Sequence, residues 1–458
     1  MKVVVLGCTH AGTAAVLNTV ALHRDAQVTV YERNDNISFL SCGIALHVQG
    51  VVKDPAGLFY CSPEKLAELG VKTCMRHEVT EVDLTGKKLR VRDLESGKDF
   101  EDTFDKLIVT SGSWPVEPPI ENVKLENVLL CKNYAHAMEI VKRCGSARSV
   151  AVIGAGYIGT ELVEAFETQG KSVTFIDQMA QVLPRYLDPD VIDVIEKLYV
   201  EKGVKLAFGR TVKRFVDDGH GRVARVVTTD GEFDADLAIL CVGFRPQTAL
   251  FKGKLEMLPN GALRVDEYMR TSHPDVFAAG DCCAVYNNAS RQYAYIPLAT
   301  NAVRMGTLAA RNLKAPTTRH RGTQGTSGIK IYDWNIASTG LTELVAKELG
   351  LDYAVSVLKD NYRPEFMPTT EPFYLKLVYE RKTLRILGAQ VRSKEDLTQS
   401  INTLSVCIQN GMTVEDLAFV DFFFQPHYNK PWNYLNSVAL QALPDRKSTR
   451  LNSSHGRR

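Results

Sequence analysis

Apolar and polar positions follow the same order at two places along the chain. The first place opens with an apolar run at Val3–Leu6, a glycine turn and apolar positions at helical spacing over Thr13–His23. A second apolar run, Gln27–Tyr31, is followed directly by Glu32. Short continuous apolar runs are typical of strands buried in a parallel sheet. The pattern therefore predicts a strand, a turn, a helix and a second strand that ends at an acid.

The same order returns near the middle of the chain. Ser149–Ile153 predicts a strand, a helix follows to about Gln169, and Ser172–Ile176 predicts the next strand. Asp177 comes directly after that strand, 23 residues past Gly154, the first glycine of the turn. The repeat predicts two units of one supersecondary type.

Glycine turns in this setting bind dinucleotides. The glycines let the backbone approach a pyrophosphate at the helix N-terminus, and the acid takes a ribose hydroxyl. The second turn has the full G-x-G-x-x-G pattern, whereas Thr9 replaces the middle glycine of the first. The predicted binding residues are Gly7, Thr9, His10, Ala11, Gly12 and Glu32 in the first unit, and Gly154, Gly156, Tyr157, Ile158, Gly159 and Asp177 in the second.

Two such units predict two nucleotide cofactors, and a flavin with a nicotinamide is the natural pair. The alternative is that the first turn only packs an α/β unit. No basic residue follows Asp177 until Arg185, so a 2′-phosphate would meet an uncompensated carboxylate. NADH is therefore favoured over NADPH.

The pattern changes from about Gly328, where strands and helices mix. Strands are predicted at Ile329–Tyr332, Tyr374–Val378 and Ile386–Val391, and helices at Leu341–Leu349 and Leu397–Asn410. The last residues, Lys447–Arg458, include one leucine and no other large apolar residue. We expect this tail to be disordered.

Composition and charge narrow the function classes. The 458 residues are 45% apolar and 24% charged, which supports a full core. Lys and Arg total 55 against 53 Asp and Glu, so the charge balance does not indicate a nucleic-acid-binding protein. The N-terminal apolar run is too short for a signal peptide, and no apolar run is long enough to span a membrane. We expect a soluble, cytoplasmic protein without nucleic-acid or membrane partners.

The cysteines give one further signal. Ten are scattered along the chain without a C-x-x-C pair, so neither a metal site nor a thioredoxin motif is predicted. A chain of this length does not need disulfides, and each cysteine is by default a small buried apolar residue. Cys42 is the exception, because of the motif around it.

Five segments together resemble one family. Beside the two glycine turns, they are Ser38–Gly43, similar to a redox-active cysteine segment, Thr110–Ser113, similar to a flavin contact, and Thr271–Asp281, similar to a second flavin motif. Up to about Leu443, the chain resembles the pyridine nucleotide–disulfide reductase superfamily, in its branch of single-cysteine flavoproteins. The resemblance implies an α/β fold with two Rossmann-like domains, one for FAD and one for NAD, and a C-terminal α+β dimerisation domain.

The resemblance also implies domain boundaries and an assembly. The FAD domain is expected in two parts, residues 1–115 and 246–325, with the NAD domain at 116–245 between them. The dimerisation domain is expected at 326–445, followed by the tail at 446–458. The expected cofactors are FAD and NADH, and the expected assembly is a homodimer or a dimer of dimers.

Cys42 is the expected redox centre. Two-cysteine members of the superfamily use C-x-x-x-x-C, but the second position here is His47. A single sulfur cannot form that intramolecular bridge, so it must cycle through a sulfenic acid or a mixed disulfide with a small thiol. Cys42 also precedes a predicted short helix, Gly43–His47, whose dipole is expected to lower the thiol pKa.

His10 is the second expected catalytic residue. The resemblance implies an acid or base beside the redox cysteine and the flavin, and imidazole titrates in a useful range. The alternative is a histidine whose ring is satisfied by backbone groups at the helix start. The resemblance also assigns cofactor contacts to Cys42, Thr110, Ser111, Gly112, Ser113, Lys132, Tyr186, Gly243, Asp281, Ala299 and Gly328.

The resemblance implies an NADH oxidase that reduces O2 to water by four electrons, through flavin and a thiolate–sulfenic acid cycle at Cys42. NADH peroxidase is the nearest alternative, because it shares Ser-Cys-Gly and the same sulfur chemistry. Coenzyme A disulfide reductase comes next, although such enzymes tend to carry Asn where this chain has Ser41. A flavin-based redox sensor with little turnover is the alternative from another class.

Overall fold

The computed structural model describes residues 1–443. The α-helices in this range are α1 (His10–Leu22), α2 (Ile44–Gln49), α3 (Pro63–Glu68), α4 (Tyr134–Cys144), α5 (Tyr157–Thr168), α6 (Pro189–Glu201), α7 (Ala299–Arg311), α8 (Glu343–Glu348), α9 (Ser400–Gln409), α10 (Val414–Ala418) and α11 (Tyr434–Ala442). None of these helices has the length and apolar character needed to pass through a membrane.

The strands of the same range, in chain order, are β1 (Lys2–Leu6), β2 (Gln27–Glu32), β3 (Lys72–Met75), β4 (His77–Asp83), β5 (Lys88–Asp93), β6 (Asp99–Thr103), β7 (Lys106–Val109), β8 (Ser113–Pro115), β9 (Val128–Leu130), β10 (Ser149–Ile153), β11 (Ser172–Asp177), β12 (Lys205–Phe208), β13 (Val212–Asp217), β14 (Val223–Thr228), β15 (Glu232–Asp234), β16 (Leu237–Leu240), β17 (Phe244–Pro246), β18 (Leu263–Arg264), β19 (Val276–Ala278), β20 (Cys283–Asn287), β21 (Gln292–Ala294), β22 (Ser327–Ile331), β23 (Trp334–Gly340), β24 (Tyr353–Asn361), β25 (Pro372–Glu380) and β26 (Ile386–Ser393).

The chain divides into two compact units. The first comprises residues 1–182, 196–286 and 293–322, and the second comprises residues 183–195, 287–292 and those from 323 onward. Two short stretches, 183–195 and 287–292, thus cluster with C-terminal residues, although the sequence predicted them in the NAD and FAD parts. The predicted tail, 446–458, lies outside the described residues.

The first unit contains two five-stranded sheets in which every neighbouring pair runs parallel. The order is β19-β7-β1-β2-β3 in the first sheet and β12-β11-β10-β16-β9 in the second. β1 and β10, the strands before the two glycine turns, are central in their sheets and buried along nearly their whole length. Open parallel sheets bind ligands at the carboxyl ends of such strands, so both turns lie where a dinucleotide binds.

The first sheet is built from two separate parts of the chain. β19 pairs with β7, with Phe277 opposite Ile108, although all strands of the second sheet lie between them in sequence. One domain is thus inserted within another. The predicted α/β class with two Rossmann-like sheets is confirmed.

The second unit contains a five-stranded antiparallel sheet in the order β22-β23-β26-β25-β24. Helices α9, α10 and α11 contribute to its core through Leu404, Leu417 and Val438, which pack with the strand residues Leu375 and Leu377. The strands predicted at Tyr374–Val378 and Ile386–Val391 are present and extend further at their ends. This mixed architecture is the expected α+β domain.

Two predicted helices begin at other residues. The first starts at His10 rather than Thr13, because the Thr13 amide already donates a helical hydrogen bond to the Thr9 carbonyl at 2.9 Å. The short helix predicted over residues 43–47 is instead a 3-10 turn, Ser41–Gly43, followed by α2. His10 is therefore the first helical residue, and Cys42 lies inside the 3-10 turn.

A buried lysine organises the second unit. The Lys376 side chain on β25 is 3% exposed, and its Nζ lies 3.2 Å from Asp188, 2.9 Å from Asp190 and within contact of Glu343. Burial alone lowers the pKa of Lys376, but hydrogen bonds to Glu343 and Asp190 and the charge of Asp188 outweigh it and raise the pKa above its usual range. Asp188 is itself 1% exposed and accepts a hydrogen bond from Gln390 Nε2 at 2.6 Å.

We expect Lys376→Ala to destabilise the second unit by about 3–5 kcal/mol, because it leaves the buried Asp188 carboxylate without its cation. Chemical denaturation, followed by circular dichroism, measures the loss. Lys394→Ala is the matched control, because Lys394 pairs with Asp333 at the surface and its loss should be much smaller. Equal losses in the two variants would contradict this interpretation of the buried network.

Candidate active site

A carboxylate at the end of β2 holds the first glycine turn. Glu32 is 5% exposed, and its Oε2 accepts the Cys8 amide N–H at 2.8 Å. Its Oε1 accepts the amide and the side-chain N–H of Asn34, at 2.8 and 2.7 Å. Burial raises the pKa of Glu32, and these donors oppose the shift. A carboxylate can accept about four hydrogen bonds, so one remains for a ribose hydroxyl.

The glycines of the first turn permit close backbone approaches. Gly7 has φ +90°, and a Cβ there would lie 2.7 Å from the Thr110 carbonyl oxygen. A Cβ on Gly12 would lie 2.0 Å from the Gly7 oxygen. Thr9, the residue that replaces the middle glycine, has φ −89°, which any residue can adopt. The replacement of the middle glycine by Thr9 therefore does not violate a positive-φ requirement at this position.

The second turn repeats this arrangement. Asp177 Oδ2 accepts the Ala155 amide N–H at 2.6 Å, and Oδ1 accepts the Met179 amide at 2.6 Å. Gly154 has φ +109°, and a Cβ there would lie 2.3 Å from the Cys241 carbonyl oxygen. In both turns a carboxylate accepts a backbone amide, and glycine leaves space where a Cβ would clash with a carbonyl oxygen, as a bound dinucleotide requires.

Asp281, Ser113 and Lys132 form a polar group next to the end of β19. Asp281 Oδ2 accepts the Ser113 hydroxyl at 2.8 Å and the Lys132 ammonium at 3.1 Å. Lys132 also donates to Ser113 at 3.0 Å and lies 4.3 Å from the centre of the Phe244 ring. The predicted contacts Lys132 and Asp281 are therefore neighbours.

Cys42 is exposed as a residue and has no bonded thiol partner, although its sulfur is partly shielded from water. The Leu40 amide donates to the Leu58 carbonyl at 2.8 Å, and a Cβ on Gly43 would meet the Leu58 side chain at 2.3 Å, so this segment packs closely on residue 58. Loss of water around the sulfur raises the thiol pKa, a backbone hydrogen bond opposes this, and the charge of Glu161 raises it further. The predicted lowering was wrong, because α2 begins only at residue 44 and its dipole does not outweigh desolvation.

His10 lies at the start of α1 with a side-chain partner. Its Nδ1 is 3.1 Å from the Tyr60 hydroxyl, whereas its Nε2 is buried and has no partner within residues 1–443. The ring is thus not satisfied by backbone groups, which was the alternative. Burial lowers the pKa of His10, the charge of Asp281 opposes this, and that of Lys132 adds to it. The neutral imidazole is therefore favoured near pH 7.

Electrostatic interactions link Cys42, His10, Lys132 and Asp281, partly through Tyr60. Burial raises the pKa of Tyr60 to about 12, and the charge of Cys42 is among the contributions that raise it. The charges of Asp281 and Lys132 affect the pKa of His10. Cys42, His10, Lys132 and Asp281, all predicted from the sequence, therefore lie within electrostatic reach through neighbouring groups in the first unit.

The remaining residues that were predicted to contact a cofactor lie elsewhere in the structure. Thr110 donates to the Gly7 carbonyl at 2.8 Å, and Ser111 donates to the Gln247 carbonyl at 2.6 Å. Gly112 and Gly243 have φ +68° and +101°, Ile158 lies on α5, and Ala299 is the first residue of α7. Tyr186 and Gly328 belong to the second unit, where Gly328 pairs with Ala337. Their contacts with cofactors stay predictions.

Two residues of this region were not predicted. Tyr60 lies in an irregular stretch without a motif, 50 positions from His10, so no local signal marks it. Glu161 lies on α5, and burial and the charge of Glu164 raise its pKa to about 7. Its spacing of four residues from Tyr157 places both on one helix face, which could have indicated it.

The residues present fit two adenine dinucleotides better than a metal. Within residues 1–443, no group of three His, Cys, Asp or Glu side chains is arranged to hold a metal ion. The two carboxylate-held cradles fit a pyrophosphate and a ribose, and the buried His10 Nε2 has no partner within residues 1–443.

The chain matches a known family and its relatives over nearly its full length. Residues 1–306 match the pyridine nucleotide-disulphide oxidoreductase family, and residues 326–434 match its dimerisation domain. An NADH oxidase of Enterococcus faecalis is 56% identical over 97% of this chain and 99% of the relative. The structure of a water-forming NADH oxidase from Lactobacillus brevis, bound to NADH, is 52% identical, with a TM-score of 0.95 over 99% of each chain. A NAD(P)H coenzyme A polysulfide/persulfide reductase of Pyrococcus horikoshii is 33% identical over 96% of this chain and 97% of the relative.

Glu32→Gln should weaken binding of the dinucleotide in the first unit by about tenfold or more, because an amide nitrogen would face the N–H donors that the carboxylate now accepts. Cofactor retained after gel filtration, read from visible absorbance, measures the effect. Glu78→Gln, on the surface strand β4, is the control and should retain the cofactor fully. Full retention by Glu32→Gln would show that the turn does not depend on this carboxylate.

Proposed function

The chain belongs to the pyridine nucleotide-disulphide oxidoreductase family, and we propose that it is an NADH oxidase that reduces oxygen to water. Two NADH and two protons would be consumed for each O2, giving two water molecules and two NAD⁺. The proposal is supported by the relatives of that activity and by the setting of Cys42.

The observation that carries the proposal is the single sulfur. All ten cysteines, which lie in the described part of the chain, are free. The position of a second redox thiol holds His47, whose Nδ1 donates to the Val52 carbonyl at 2.8 Å. A disulfide cycle within the chain is thus replaced by chemistry on one sulfur, and sulfenic acid is the oxidised form that peroxide produces.

FAD and NADH would occupy the two nucleotide units. We infer that Glu32 and the turn from Gly7 hold FAD, with Asp281 and Lys132 farther along it, and that Asp177 holds the ribose of NADH. The FAD, when bound, accepts hydride from NADH and delivers electrons to oxygen and to sulfur. Asp177 also disfavours the 2′-phosphate of NADPH.

Cys42 completes the reduction. Its thiolate attacks one oxygen of hydrogen peroxide, an S–O bond forms, the O–O bond breaks, and the departing hydroxide takes a proton to become water. The sulfenic acid then receives a hydride equivalent from the second NADH, which restores the thiolate and releases the second water. Loss of water around the sulfur raises the thiol pKa, so a positive or hydrogen-bonding group beside it would favour the thiolate.

His10 supplies the proton at the same place. Its buried Nε2 has no partner within residues 1–443, and a neutral imidazole bonded through Nδ1 can carry its proton on Nε2. A donor held next to the breaking O–O bond is worth about 10²–10⁴-fold in rate.

A second candidate is a reductase of coenzyme A disulfide or persulfide. The relative from Pyrococcus horikoshii carries a name of this kind at 33% identity, and a single sulfur can also form a mixed disulfide with a small thiol. Faster anaerobic NADH oxidation with coenzyme A disulfide than with air would favour this candidate. Peroxidase activity would instead appear as turnover with added peroxide and none with oxygen.

We also infer that the enzyme is a homodimer. The match of residues 326–434 to the dimerisation domain supports it. Large aromatic side chains are exposed in this region of the second unit, namely Phe419, Phe423, Tyr428 and Trp432. Aromatic residues are enriched in interfaces, and a second copy would remove them from water.

Cys42→Ser should oxidise NADH but release peroxide, with one NADH consumed for each O2 instead of two, because the sulfur step is lost. An oxygen electrode combined with a peroxide assay measures both quantities. Cys74→Ser, on strand β3 of the first parallel sheet, is the matched control and should still form water. Unchanged water production by Cys42→Ser would remove the sulfur from the mechanism.

A further inference from the structure

Tyr60 is bonded to the imidazole at the centre of the site. Its hydroxyl lies 3.1 Å from His10 Nδ1. The two rings are nearly parallel, with their planes at 6° and their centres 5.8 Å apart. Because the bond that one ring nitrogen makes sets which nitrogen carries the proton, this contact determines what the other nitrogen can do.

The other nitrogen has no such partner. His10 Nε2 is buried and unpaired within residues 1–443. Buried polar atoms are nearly always hydrogen-bonded, so this nitrogen is available to bond to a group that binds in the site. Burial lowers the pKa of His10 and the facing charge of Lys132 adds to this, whereas the facing charge of Asp281 opposes it; the net effect favours the neutral ring. A neutral ring has one N–H, on either Nδ1 or Nε2.

Tyr60 also lies within electrostatic reach of Cys42. Burial raises the pKa of Tyr60 to about 12, the Thr13 hydroxyl opposes this, and the charges of Cys8, Cys61 and Cys42 add to the rise. The phenol therefore keeps its proton while the nearby sulfur is a thiolate. A phenol that keeps its proton can donate to Nδ1 of the imidazole, which leaves the ring proton on Nε2.

We propose that Tyr60 is a positioning residue for proton transfer, whose hydroxyl donates to His10 Nδ1 and so holds the imidazole proton on Nε2. This role rests on the proposed function, because the proton is used when peroxide reacts with Cys42. The S–O bond forms, the O–O bond breaks, and Nε2–H protonates the departing hydroxide. As Nε2–H is lost, the phenol proton shifts to Nδ1. Water then returns a proton to Nε2, and the Nδ1 proton moves back to the phenolate.

The test uses Tyr60→Phe, which keeps the ring and removes the hydroxyl. Holoenzyme whose Cys42 has been reduced by one equivalent of NADH is mixed anaerobically with hydrogen peroxide and dimedone, which traps sulfenic acid. We expect the trapping rate, followed by intact mass, to fall about tenfold, less than the loss of a whole acid–base group. In turnover with NADH and peroxide, kcat should fall while KM for NADH is unchanged.

Tyr134→Phe is the matched control. Tyr134 packs against Phe39 and Phe59, with ring centres 5.7 and 5.2 Å apart, so it contacts the residue beside Tyr60 and takes no part in the bond to His10 Nδ1. It should keep the wild-type trapping rate. Tyr60→Gln keeps a side-chain hydrogen-bond donor without the ring, and it should retain more of the trapping rate than Tyr60→Leu. This second comparison tests the proposal even if Tyr60→Phe fails to fold.

A double-mutant cycle separates positioning from a structural role. In a His10→Gln background, Tyr60→Phe should cause no further loss, because Tyr60 acts through the imidazole. The same factor of loss in both backgrounds, or a wild-type rate in Tyr60→Phe, would overturn the proposal. Because peroxide is added directly, the double-mutant cycle does not depend on the reaction with oxygen. If the wild-type enzyme converts oxygen only to peroxide while the cycle behaves as expected, the proposed oxidase function fails and the proposed role of Tyr60 stands.

Discussion

One interaction, made twice, determines where everything else in the first unit lies: a carboxylate at the end of a strand accepts the amide of the neighbouring glycine turn. Glu32 accepts the Cys8 amide, and Asp177 accepts the Ala155 amide. Each bond fixes the path of the chain from a central strand into the next helix. His10 starts the helix after the first turn, so its position beside Tyr60 depends on that carboxylate.

The chemistry of the site follows from desolvation as much as from residue identity. Desolvation raises the pKa values of Cys42, Glu161 and Tyr60 and lowers that of His10, so the protein alone favours the neutral thiol, phenol and imidazole. The ion pair of Asp281 and Lys132 is the charge that the protein itself places near these groups.

Sequence reasoning succeeded where the signal was local. Val3–Leu6 and Ser149–Ile153 are continuous apolar runs, and Glu32 and Asp177 follow at the spacing that the strand–helix–strand unit imposes, so both nucleotide units could be predicted. The thiol pKa of Cys42 could not, because it depends on which side chains exclude water. Tyr60 and the carboxylates around Lys376 were missed for a related reason: their partners are distant in sequence and meet only in the fold.

The most direct test of the central claim, that one sulfur completes the reduction of oxygen, is the ratio of NADH oxidised to oxygen consumed by the wild-type enzyme, measured with and without catalase. We expect two NADH per O2, unaffected by catalase, because peroxide is consumed at Cys42 before it leaves the site. One NADH per O2, with oxygen returned when catalase is added, would contradict the claim and show that the reaction stops at peroxide.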